Sequence, residues 1–128
     1  MKFSSLFIAN LFICLLLGSV QLNATYQQKS IIGKWYAEDL EQSTISVIKK
    51  SDNTFEGHII ASSNADYIGK KVLHDVRYST DDQAYKGTLH SPKRDITIAC
   101  TLTLESQHKL KVVGKKFLIT KTFYWDKK

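Results

Sequence analysis

The stretch Asp95-Ile96-Thr97-Ile98-Ala99-Cys100-Thr101-Leu102-Thr103-Leu104 decides the fold. Ile96, Ile98, Cys100, Leu102 and Leu104 alternate with Thr97, Ala99, Thr101 and Thr103, which is the two-residue period of a strand with one buried face. A helix would spread the same apolar set around its whole circumference. Shorter runs of the same kind cover residues 32–37, 44–49, 54–61, 71–78, 84–90, 108–113 and 118–125, so the sequence predicts eight strands. Short polar connectors stand between them: Lys50-Ser51-Asp52-Asn53, Ser79-Thr80-Asp81-Asp82, Glu105-Ser106-Gln107 and Gly114-Lys115-Lys116. Connections of this length join antiparallel neighbours and leave no room for crossover helices. Such a chain is a sandwich or a barrel. Without long Greek-key connections, an all-β, eight-stranded antiparallel up-and-down barrel is the favoured solution, and closure removes every exposed edge. The longer connection at residues 62–69 is expected to cap one end.

The first residues read differently. Lys2, an apolar run at residues 6–20 and the polar Gln21-Leu22-Asn23-Ala24 follow the order of a secretory signal peptide, with cleavage expected after Ala24. The run falls short of the roughly 20 residues that span a bilayer as a helix, which disfavours a retained anchor. Cys14 sits in the middle of it, away from the small-residue setting of a lipoprotein cleavage point. The expected organisation is therefore a signal peptide at 1–24 and a single barrel domain at 25–128. The protein is expected to be exported, periplasmic or secreted, with no stable membrane span once the leader is removed. Cys100 is then alone, and no disulfide contributes to stability. The net charge of +6 comes from basic residues spread along the chain, compatible with an anionic ligand or surface. Nucleic acid is not expected as a partner, since dispersed lysines on an exported protein are ordinarily just solvated.

Several short motifs together carry a family resemblance. Gly33-Lys34-Trp35 followed by Glu38-Asp39, then Phe55-Glu56-Gly57-His58-Ile59, Gly87-Thr88-Leu89-His90-Ser91-Pro92, Gly114 and the closing Thr122-Phe123-Tyr124-Trp125 resemble the family called domain of unknown function 2147. The resemblance covers essentially the whole chain after the leader. It implies an exported bacterial protein with a lipocalin-like, calycin-like barrel and no established activity. The chain departs from the family pattern at Ser91-Pro92-Lys93-Arg94-Asp95-Ile96, where an Asp-Pro followed by Gly-Lys and an aromatic would be expected. Lys127 stands where a family arginine would be. In such a barrel Gly33 lets the backbone bend, Trp35 plugs one end and Lys127 packs over the indole, without the planar stacking that a guanidinium would add.

No signature of catalysis emerges from the residues. His58, His74, His90 and His108 form no His-x-His or His-x-x-x-His pair and no Cys-x-x-Cys accompanies them, so neither a metal site nor a cofactor is expected. Cys100, inside the most regular strand, reads as a small buried hydrophobe. Glu38, Asp39 and Glu41, and Asp66, Asp75, Asp81 and Asp82, read as solvated loop charges. No Gly-x-Ser-x-Gly, Walker-type or dinucleotide fingerprint occurs, and the expectation is a protein that is not an enzyme. What remains is the lumen, which small barrels either fill with side chains or use to hold one small ligand. By alternation the inward set includes Ile96, Ile98, Cys100 and Leu102, and the candidate ligand-binding residues are Phe55, Ile59, Tyr85, Leu89, Ile98 and Cys100. The expected function is binding of a small, partly apolar ligand. The alternative is a structural or interaction protein of the cell envelope that docks an anionic partner through Lys109, Lys111, Lys115, Lys116 and Lys121.

Overall fold

The computed structural model describes residues 30–128; the expected leader and Cys14 lie outside the described residues. Eight strands follow in order: β1 (Gly33–Ala37), β2 (Ser43–Lys49), β3 (Phe55–Ala61), β4 (Lys71–Ser79), β5 (Ala84–Ser91), β6 (Ile96–Ser106), β7 (Lys109–Lys116) and β8 (Ile119–Lys127). Each pairs antiparallel with the next, and β8 returns to β1 to close an up-and-down barrel. The seam is short: Trp35 faces Lys127, Tyr36 faces Asp126, and the Lys128 amide donates to the Lys34 carbonyl at 2.9 Å.

Alternation sets the wall. In β6 Cys100 and Leu102 are buried while Thr97 and Ala99 face out, and β7 continues the pattern with Leu110, Val112 and Gly114 inside. Trp35, Ala37, Ile45, Val47, Phe55 and Ile59 extend the same apolar interior through the first three strands. β4 breaks the pattern, burying Val72 and Leu73 in succession before Val76. A register shift against β5 between His74 and Arg77, with Asp75 at φ 49°, absorbs the extra residue as a bulge. Gly87 on β5 makes that bulge possible. A Cβ there would lie 2.7 Å from Val76 Cγ2 and 2.8 Å from both the His74 carbonyl oxygen and Val76 Cα.

The connection at residues 62–70 carries a short 3-10 turn, Ala65–Tyr67, capped by the Asn64 side chain, which accepts from the Asp66 amide at 3.0 Å. It is tied to the β1–β2 turn at the same end of the barrel. Ser63 donates to the Glu41 carbonyl from its hydroxyl at 2.8 Å and its amide at 3.1 Å, and the Ser43 hydroxyl meets that of Ser62 at 3.0 Å. Tyr67 packs against the core.

Two turns lie later than the sequence predicts: Glu105 and Ser106 complete β6, which turns at Gln107-His108. Gly114-Lys115-Lys116 belongs to β7, and the chain reverses at Phe117-Leu118 instead. Gly114 is a small inward residue rather than a breaker: a Cβ would stand 2.6 Å from Ile98 Cδ1.

Candidate functional site

The two ends of the barrel differ, and the difference begins with two tryptophans. Trp35 leaves Gly33, whose φ of 133° is a conformation that side chains rarely adopt. Its indole is fully buried and donates from Nε1 to the Ile31 carbonyl at 2.8 Å. Lys127 reaches back across the bare Gly33, sets its Nζ 4.7 Å from the Trp35 ring centroid and donates to the Ile32 carbonyl at 3.0 Å. Phe55 and Tyr85 meet edge-to-face at 5.3 Å, and Tyr78 packs on Tyr85 at 5.0 Å. Burial raises the Tyr85 pKa. This end is filled.

The other end is open. A cleft of about 370 Å³ lies among the β1–β2, β5–β6 and β7–β8 connections and the adjoining strand ends. Leu40, Leu89, Ile96, Ile98, Phe123 and Trp125 supply its apolar walls. Lys93, Arg94, Lys116 and Lys121 bring positive charge to it, and Asp39 and Glu41 bring negative charge. Lys93 Nζ lies 3.4 Å from a Glu41 carboxylate oxygen. Burial raises the Asp39 pKa. Trp125 is 1 % exposed, and among the described residues its Nε1 meets no hydrogen-bond acceptor. That is unlike Trp35, and a buried donor without a partner is uncommon.

The structure divides the six residues named from the sequence. Leu89 and Ile98 line the cleft. Phe55 and Tyr85 form the aromatic pair of the filled end, and Ile59 and Cys100 are buried in the core cluster outside the cleft. Burial pushes the Cys100 thiol up to about 12, which leaves almost no thiolate at neutral pH. The charged residues around the cleft, with Phe123 and Trp125, were missed in that set. For Lys116 alone a signal was present, the run Lys115-Lys116-Phe117-Leu118-Ile119, whose apolar residues after two lysines do not look like an ordinary turn. The five lysines grouped from the sequence also separate. Lys109 is 3.5 Å from Asp126, while Lys115, Lys116 and Lys121 gather toward the opposite end of the β7–β8 ladder.

The remaining titratable clusters do not line the cleft. Glu56 accepts from His58 and lies near Lys50 at 3.4 Å and Lys71 at 3.7 Å, and these partners, His58 foremost, hold its pKa below the ordinary glutamate value. His74 and His90 are edge-to-face at 6.3 Å, and His90 Nε2 lies 3.4 Å from Asp95. Among the described residues no three His, Cys, Asp or Glu side chains converge as metal ligands. A family model described as an uncharacterized protein conserved in bacteria, DUF2147, matches residues 33–127. No curated protein and no solved structure matches the chain.

Proposed function

The chain belongs to the DUF2147 family, and from the open end of its barrel we propose that it binds a small, partly apolar molecule without converting it chemically. The observation that carries this reading is the cleft. Its volume of about 370 Å³ falls within the range of roughly 300–1,000 Å³ typical of small-molecule sites. Its walls suit an apolar body, while Lys93, Arg94, Lys116 and Lys121 suit an anionic or hydrogen-bond-accepting end. The unpaired Trp125 Nε1 adds one more donor at the site. Cys100, whose thiol burial keeps protonated and which lies outside the cleft, is not a nucleophile for that site. Export, and with it a periplasmic or secreted setting, is part of the proposal and rests on the leader-like residues 1–24.

Native mass spectrometry of the protein exported by its own host tests the reading. A retained small molecule, released on denaturation and absent from an Ile98→Trp variant whose larger side chain fills the cleft, is the expected result. A bare protein that also leaves the fluorescence of an anionic anilinonaphthalene sulfonate probe unchanged would overturn it.

A further inference from the structure

The β7–β8 turn differs from four other hairpin turns of this barrel. Ser51-Asp52-Asn53, Thr80-Asp81-Asp82-Gln83, Pro92-Lys93-Arg94-Asp95 and Gln107-His108 turn their strands with polar residues, as solvent-facing turns generally do. Phe117-Leu118 turns β7 into β8, and Ile119 follows. These three side chains are 85 %, 98 % and 67 % exposed. Phe117 moreover sits at φ 57°, in the left-handed region where glycine or asparagine is far less strained than a bulky aromatic. A side chain that stays in water contributes no burial to folding, so the barrel has no use for this apolar tip.

Its surroundings say what does. Lys116 lies directly across from Ile119, Lys115 from Thr120 and Lys121 from Gly114, forming a basic collar below the tip. None of the three lysines is in an ion pair among those of the described residues, and Lys116 Nζ lies 5.9 Å from the Phe117 ring centroid. From Gly114 through Trp125 the hairpin contains no acidic residue. Apolar side chains at the end of a projection, with lysines set back from them, match the layering of a bilayer surface, where acyl chains lie beneath anionic head groups. A stable protein interface buries about 800 Å² on each partner, which a two-residue turn cannot supply.

We propose that the β7–β8 hairpin is a docking finger for an anionic phospholipid bilayer. Phe117, Leu118 and Ile119 enter the interfacial layer while Lys115, Lys116 and Lys121 engage the head groups. Phe117 and Ile119 also border the cleft, so docking sets its mouth against the lipid. The finger does not depend on what the cleft holds.

Leu118 is the residue to test, because it is the most exposed of the three and does not line the cleft. A Leu118→Trp variant of the exported protein, with the parent spectrum subtracted, reports the tip alone. Its emission is expected to shift to shorter wavelength and to be quenched by brominated acyl chains in vesicles containing phosphatidylglycerol, but not in vesicles of phosphatidylcholine alone. Raising salt from about 0.1 M to about 1 M, which shortens the screening length from about 10 Å to about 3 Å, should weaken the response. Leu118→Asp should bind the anionic vesicles about tenfold or more weakly, with its urea midpoint unchanged. An unmoved tip spectrum on anionic vesicles, or equal vesicle binding by Leu118→Asp and its parent, would overturn the proposal. So would a change in oligomeric state in Leu118→Asp without any vesicle binding by the parent, which would make the tip a contact between copies of the chain.

Discussion

Trp35 concentrates more of the architecture than any other residue. It is large, fully buried, hydrogen-bonded to the Ile31 carbonyl and covered by the Lys127 ammonium. Replacing it with alanine leaves a void, and Trp35→Ala is expected to cost about 3–5 kcal/mol, measured by urea titration against the parent. That is a large share of a small domain's stability, and a loss below about 1 kcal/mol would show that the indole is not the plug of that end. Cys100 makes a second residue-scale prediction. With its thiol pushed up to about 12 by burial, iodoacetamide near pH 8 should leave it unmodified in the folded protein and modify it in guanidinium, as located by peptide mapping. Labelling of the native thiol at the rate of a free cysteine would contradict its burial.

At the scale of elements, the β4 bulge and Gly87 form one device. Gly87→Ala brings a methyl group against the backbone of β4, which cannot rotate away as a side-chain end can, and should destabilise by about 1–3 kcal/mol. A neutral Gly87→Ala, measured by thermal melting, would mean that the bulge relaxes without cost. The strands themselves were legible in the sequence because alternation is a local property, as the run from Ile96 to Leu104 shows. The β7–β8 turn was not. Glycine followed by two lysines ordinarily marks a loop, and only the close approach of Ile98 across the lumen makes Gly114 a wall residue. The cleft was legible only in part, in two of the six residues named, for a related reason. Parity along a strand tells which side chains face inward, and it named Leu89 and Ile98 correctly as inward. It does not tell how far along the axis each one lies, and depth separates these two from Phe55 and Tyr85 at the filled end.

The whole molecule carries its charge pairs largely on the outside, and they govern its response to acid. Glu56, Asp52 and Asp82 have lowered pKa values: Glu56 through His58, Asp52 through hydrogen bonds from Thr54, and Asp82 through Lys86. A carboxylate whose folded pKa is depressed stabilises fully above its unfolded pKa, and that contribution disappears as pH falls through the folded value. Asp39 acts in the opposite sense, since its raised pKa favours the folded state at low pH. With three such groups against one among the described residues, urea midpoints should fall on going from neutral pH to below the ordinary carboxylate range. Glu56→Gln should flatten part of that slope, and an unchanged slope would mean that the His58 contact contributes nothing in solution.

The unequal ends of the barrel have one more consequence. With Trp35 seated in one end and the cleft at the other, the fold is a cup and not a pipe. Nothing can pass through it, and whatever goes in must come out by the way it entered. On the proposed ligand-binding reading, a second molecule could not push the first out from behind, so exchange would wait for departure and the rate of emptying would be set at the lip. Side chains there, Lys93 and Arg94 on one hairpin and Lys116 and Lys121 on another, stand where they would control how long a guest stays.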